Sequence, residues 1–267
     1  MGKANLPFWS FREVPSGIKN RNPVQDEFFN SSEALTEISS LVRESIQNSL
    51  DAHDPNVKDP VLLRFTLSEV ASAITDKYFK GLEEHLKQGI PGGNHSLENK
   101  PCKYLIVEDF NTTGLLGDSG KDQLTESDIP SRNSYHYFVW AEGSSAKIEG
   151  NRGRWGIGKI VFPRLSNIKS FFVLSKRHSS NAPCGKNEVL IGMSTLRGHS
   201  LAGRNYQPDG WWADYSKLID VPIPVAPEIV QEFKKDWDVQ RKNENGLSIL
   251  IPYVPDFITK ELIRDCV

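Results

Sequence analysis

The amino-acid sequence predicts an α+β fold, on three observations. One long segment near residue 40 carries apolar residues at intervals of three and four, short alternating or wholly apolar runs recur along the rest, and Gly- and Pro-rich breaks separate them. With 267 residues the chain can bury the core of one large domain, or of a main domain with a small extension. The 32 basic and 34 acidic side chains nearly cancel, so the chain as a whole lacks the positive field of a protein that grips nucleic acid mainly through phosphates; local patches stay open.

Cys102, Cys184 and Cys266 are odd in number, far apart and without CxxC spacing, which argues against a disulfide framework and a cysteine-rich zinc site and fits a reducing cytoplasm. Charged residues, Pro7 and Trp9 near the start leave no signal-peptide core, and Leu6 stands where a myristoylation signal needs Ser or Thr. No apolar run is long enough to span a bilayer, so no membrane partner is expected.

Residues 1 to 30 have no period and read as an extended arm that packs on the domain or on a partner. Asn30 and Glu33 have capping-box spacing ahead of a helix to about Ala52, with Leu35, Ile38, Val42, Ile46 and Ser49 as its inner stripe. Val61 to Val70 reads as a strand and Ala71 to Gln88 as one amphipathic helix, before the break at Pro91-Gly92-Gly93-Asn94. Lys103 to Glu108 is a buried strand that delivers Asp109 at its end, and a loop follows through Lys121. Helices are predicted over Asn133 to Glu142 and Gly156 to Leu165, around a Gly-rich loop from Gly143 to Trp155. Strands follow at Ile168 to Ser175, Glu188 to Ser194 and Gly246 to Tyr253, with helices at Pro227 to Arg241 and from Thr259 onward. The domain is expected over 31–255, and 256–267 as the start of a downstream helix or linker in a longer protein.

Three places carry chemistry. At about 100° per residue, Glu44, Asn48 and Asp51 share one side of the first helix, where a carboxylate can deprotonate water and an amide oxygen can ligate a hard cation such as magnesium. A solvated polar face explains the same trio more simply. Asp109 closes an apolar strand, where a buried carboxylate could read an exocyclic amine, although Asp, Asn, Thr and Gly also make ordinary turns. Gly153-Arg154-Trp155-Gly156-Ile157-Gly158-Lys159 lets backbone amides approach phosphates. It formally satisfies GxxxxGK, but Ile160 replaces the magnesium-binding Ser or Thr of a P-loop and Glu149 to Arg152 makes a poor preceding strand.

Glu44-Ser45-Ile46-Gln47-Asn48-Ser49-Leu50-Asp51-Ala52 resembles the asparagine-containing helix of the ATPase superfamily that unites gyrase, the heat-shock chaperone, histidine kinases and MutL, most closely its MutL and gyrase branches. Leu105 to Gly114 resembles that family's second motif, with Asn111 where the first Gly is expected and Gly114 one residue late. Gly153 to Lys159 is similar to its lid glycine box, and Gly246-Leu247-Ser248 to its late Gly-Thr strand, with Leu247 replacing Thr. The resemblance implies a Bergerat-type α/β sandwich, a mixed, mostly antiparallel sheet with helices on one face, that binds ATP and magnesium. It implies Glu44 as general base, Asn48 as magnesium ligand, Asp51 as support and Asp109 as acceptor from the adenine amine. Asn111, Gly114, Ser144, Lys147, Gly153, Gly156, Ile157, Gly158, Lys159 and Ser248 are its further candidate nucleotide contacts.

The resemblance further implies ATP-dependent homodimerisation, with any nucleic-acid or protein client bound through domains downstream of Val267. Rival readings are an ATP-binding switch without hydrolysis, a histidine-kinase-type phosphotransfer domain, and an interaction module using Trp211 and Trp212. Those two tryptophans read first as core or loop anchors.

Overall fold

The computed structural model describes residues 6–15, 17–18, 34–92, 97, 99–129, 132–141, 158–182, 185–216 and 221–267. Its eight described strands are β1 (Phe8–Glu13), β2 (Leu62–Val70), β3 (Cys102–Phe110), β4 (Ser170–Lys176), β5 (Glu188–Thr195), β6 (His199–Leu201), β7 (Arg204–Ala213) and β8 (Gly246–Pro252). Its described α-helices are α1 (Ala34–Asp51), α2 (Ser72–Phe79), α3 (Glu83–Gly89), α4 (Ser134–Val139), α5 (Val161–Arg164), α6 (Pro227–Asp236) and α7 (Lys260–Cys266). The strands form one sheet in the order β1-β7-β5-β4-β8-β3-β2, with β6 beside β7. The architecture is α+β with an open sheet. Among the described residues every strand pairing is antiparallel, where a mixed sheet was expected.

Side chains alternate across each strand, and the alternation divides the core in two. Leu105 and Val107 of β3, Phe171 and Val173 of β4, and Ile249 and Ile251 of β8 pack with Ile38, Leu41 and Val42 of α1, Tyr135 of α4, Phe162 of α5 and Ile263 of α7. Tyr104, Ile106, Phe172, Leu174 and Leu250 point the other way, into Tyr78 and Phe79 of α2, Leu86 of α3, and Val230 and Phe233 of α6. Helices therefore cover both faces, which corrects the expectation of one covered face. The near-continuous apolar runs of β3, β4 and β8 are the sequence signature of that double burial.

α1 follows its apolar period, with one rotation of the stripe. Ile38, Val42 and Ser49 are buried as expected, but Leu41 and Ser45 complete the inner face, while Ile46 is 36% and Leu50 62% exposed. Ile46 lies about 100° round from Ser45, on the flank that meets α7, where Ser39 Oγ and Cys266 Sγ stand 3.3 Å apart. Leu35's side chain and the Asn30/Glu33 capping pair lie outside the described residues.

The single helix expected over 71–88 is two, α2 and α3, because Gly81 takes a left-handed φ of 86° between them. The helix expected to reach Arg241 ends at Asp236, and Asp238 turns the chain with φ 49°. α4 is shorter than expected, and the helix expected over 156–165 reduces to a 3-10 turn, Gly158–Ile160, and the four residues of α5. Residues 8–13 of the expected arm form the edge strand β1, with Trp9 opposite Trp212. β6 and β7 were not foreseen. No described helix is long and apolar enough to cross a membrane.

Candidate functional site

β3 ends on two adjacent carboxylates that alternation sends to opposite faces. Asp109 points towards α1 and is 8% exposed. Its Oδ1 accepts hydrogen bonds from Thr112 Oγ1 at 2.6 Å and from the Leu247 amide at 2.7 Å. Its Oδ2 lies 3.3 Å from Ser49 Oγ, whose single proton also has the Ser45 carbonyl at 2.8 Å. Oδ1 is thus saturated, and Oδ2 keeps acceptor capacity, since each carboxylate oxygen offers about two lone-pair sites. Burial pushes the Asp109 carboxyl above its ordinary range, against the opposing pull of Thr112, Leu247, Arg241 and Ser49.

The loop after β3 is tied to the end of α1. The Thr113 amide donates to the Ala52 carbonyl at 2.8 Å, and the Asp54 amide to the Asn111 carbonyl at 3.2 Å. Asn111 takes a left-handed φ of 63°, which Asn tolerates better than most residues, and its amide donates to the Pro60 carbonyl at 2.8 Å. Gly114 has φ +65°, and a Cβ there would stand 2.5 Å from the Lys176 carbonyl oxygen and 2.8 Å from Ser175 Oγ. Only glycine lets the loop lie so close to β4. Buried Arg177 holds the next stretch, its Nη1 donating to the Leu115 and Gly117 carbonyls at 2.7 Å each.

Along α1, Glu44 is half-buried and Asn48 and Asp51 are exposed, on the flank beside the buried Ser45 and Ser49. Glu44 accepts from Arg43 Nη2 at 3.3 Å. The structure thus brings together the C-terminal half of α1, the carboxylate of Asp109, the loop with Asn111 and Gly114, and the first residues of β8. An open depression of about 390 Å³ lies between α1 and α7, lined by Val42, Arg43, Ile46, Gln47, Leu50, Asp51 and Cys266. Three of its seven lining residues are polar, Arg43, Gln47 and the candidate Asp51, while Glu44, Asn48 and Asp109 do not line it.

Other expected contacts lie elsewhere. Ser248 is buried on the sheet face opposite the Asp109 carboxylate, where its hydroxyl donates to Glu108 Oε1 at 2.9 Å and accepts from Arg241 Nε at 3.0 Å. Lys159 donates to the carbonyls of Phe138 at 3.0 Å and Ala141 at 2.6 Å, so its ammonium sits on the C-terminal end of α4. Gly158 lies in the 3-10 turn. Ser144, Lys147, Gly153, Gly156 and Ile157 lie outside the described residues. A P-loop would need a helix that starts at the phosphates and continues; the turn and the four-residue α5 with Pro163 inside it do not supply one.

Sequence reasoning missed three participants. Thr112, fully buried, locks Asp109 Oδ1, and the Asp-x-x-Thr spacing of a turn is the signal that could have found it. Glu108 and Arg241 form a buried network behind the site; Arg241 was expected as the last residue of a helix from Pro227, and the polar run Gln240 to Asn245 carries no local sign of its burial. Among the described residues no cluster of three or more His, Cys, Asp or Glu could hold a metal by itself. Asn48 presents one exposed amide, whose oxygen is the kind of group that can ligate a hard cation. No protein-family model, curated protein or solved structure matches the chain.

Proposed function

We propose that the chain is an ATP-binding domain of the gyrase, heat-shock chaperone, histidine kinase and MutL type, with a Bergerat-like nucleotide site and magnesium-dependent ATP hydrolysis. The observation that carries this reading is the convergence on Asp109: Ser49 of α1 and the Leu247 amide of β8 meet one buried carboxylate that keeps an acceptor oxygen open. An exocyclic adenine amine completes that oxygen's hydrogen bonding, whereas the carbonyl of guanine opposes it. Asn48, exposed one helical turn from Glu44, would hold magnesium together with phosphate oxygens, and the bound cation neutralises their charge.

Glu44 takes a proton from the attacking water. The water oxygen bonds the γ-phosphorus as the bond to the β–γ bridging oxygen breaks, giving ADP and inorganic phosphate. Lid closure over the nucleotide and dimerisation follow as the output of the cycle. Glu44→Ala is expected to abolish phosphate release while leaving ATP binding within about twofold, since a general base contributes roughly 100- to 10,000-fold. Unchanged turnover in that variant removes Glu44 as the base.

A second reading is an ATP-binding switch without hydrolysis, favoured by the Arg43 contact that occupies Glu44 Oε1. Phosphate release by the purified protein separates the two: sustained magnesium-dependent release excludes the switch, and none in a protein that binds ATP excludes the hydrolase.

A further inference from the structure

We infer that Arg241 is a positioning residue of the nucleotide site: from the far face of the sheet it fixes the spacing between Asp109 and the start of β8, and so aims the Asp109 carboxylate at the base. The inference rests on the ATP-binding reading above and adds a determinant of base selectivity to it.

The β3–β8 ladder has its last rung at Glu108 opposite Ser248. Just past that rung, where the strands would otherwise part, Arg241 Nη2 donates to the carbonyls of both Asp109 and Leu247. One guanidinium nitrogen thus bridges the residue that would read the base and the residue whose amide saturates its Oδ1. The rest of the fork is equally committed, with Nε on Ser248 Oγ at 3.0 Å, Nη1 on the Glu244 carbonyl at 3.1 Å, and the Phe110 ring centroid 4.7 Å from the guanidinium carbon. Gly246 completes the close approach, because a Cβ there would run into the Asp109 main-chain and carboxylate oxygens.

Glu108, fully buried, accepts from the amides of Gln240 at 3.3 Å and Arg241 at 3.2 Å and so seats the segment that carries the arginine. A buried charged network is a poor device for stability alone, since packed apolar residues of similar volume often do as well or better. What this one supplies is geometry: Nε on Ser248 Oγ and Nη1 on the Glu244 carbonyl fix the plane of the fork, and so the point at which Nη2 meets the Asp109 and Leu247 carbonyls, whereas a lysine's ammonium has no such second and third anchor on a rigid frame. The guanidinium charge also favours the ionised, accepting form of Asp109 against the effect of burial.

Calorimetric titration of the full chain with ATP and with GTP in magnesium, before and after Arg241→Lys, tests this. The expected result is a Kd for ATP raised about tenfold and a narrowed ATP-over-GTP preference, with unchanged stoichiometry. A merely structural role lowers the stoichiometry, as inactive protein accumulates, and leaves Kd and preference alone; that result overturns the inference while the ATP reading stands. If Arg241→Lys does not fold, Ser248→Ala serves, removing the Nε partner and keeping the charge. It is expected to raise Kd about threefold, and wild-type values in it overturn the inference. Wild-type protein that binds neither nucleotide overturns the inference and the ATP reading together.

Discussion

Glu108 and Asp109 are neighbours in one strand, yet the two faces of the sheet treat them as opposites. Glu108 is sealed, with no exposed surface and donors from the Gln240 and Arg241 amides and from Ser248 Oγ. Asp109 is buried almost as deeply, but among the described residues one of its oxygens faces only a long contact to a serine whose proton is shared. Burial alone does not mark a functional carboxylate. On the proposed reading the distinction lies in unfilled hydrogen-bonding capacity beside an open helix face, with the sealed Glu108 behind it as a scaffold.

Substitutions at the strand end separate scaffold from site, beginning with the largest effect. Glu108→Ala leaves the Gln240 and Arg241 amides and the Ser248 hydroxyl without their acceptor, and each buried donor left unsatisfied costs about 1–3 kcal/mol. Chemical denaturation should show that loss. Gly246→Ala forces a Cβ into Asp109 at a φ of +143°, and overpacking of this kind costs about 1–3 kcal/mol; a denaturation midpoint equal to wild type would mean that β8 does not approach Asp109 so closely.

Asp109→Asn keeps an acceptor for Thr112 and Leu247 and should cost only about 1 kcal/mol of stability. Its ATP affinity should nonetheless fall by about 10- to 150-fold, the worth of one hydrogen bond to a charged group. A variant as unstable as Glu108→Ala, with ATP binding intact, would reverse the assignment of the two carboxylates.

The smallest effect is a pH slope. The folded state raises the Asp109 pKa above its ordinary 3.8, so between the two values the folded chain holds a proton that the unfolded chain releases. Stability contributed by this group therefore falls as pH rises through that window, and Asp109→Asn should remove that part of the slope. ATP binding, which needs the ionised acceptor, should strengthen over the same window. Parallel slopes for stability and binding would contradict the proposed acceptor.

Much of this geometry was legible in the chain itself, for reasons that differ from place to place. α1 announces itself by its period, and β3 by an apolar run that stops at charge. The stripe on α1 was read one position off because Ile46 is apolar and Ser45 is not; the face over Asp109 needs small residues, and the apolar Ile46 and Leu50 turn towards α7. β7 was missed because it contains Pro208, Asp209 and Gly210, residue types that favour turns over strands, while in the fold Gly210 makes room for the Phe11 ring, 2.5 Å from where its Cβ would lie. Arg241 was illegible because only a long-range contact between the segment after α6 and the end of β3 buries it. Local pattern shows what lies on an element's inner face, and it does not show which distant carbonyls a loop arginine will reach.

The central claim is the open Asp109 oxygen, and the most direct test is a crystal structure of the chain with a non-hydrolysable ATP analogue and magnesium. The account predicts the adenine amine within hydrogen-bond distance of Asp109 Oδ2, and the phosphates and metal at the face bearing Glu44 and Asn48. Nucleotide bound elsewhere, or an adenine that leaves Asp109 uncontacted, would contradict it.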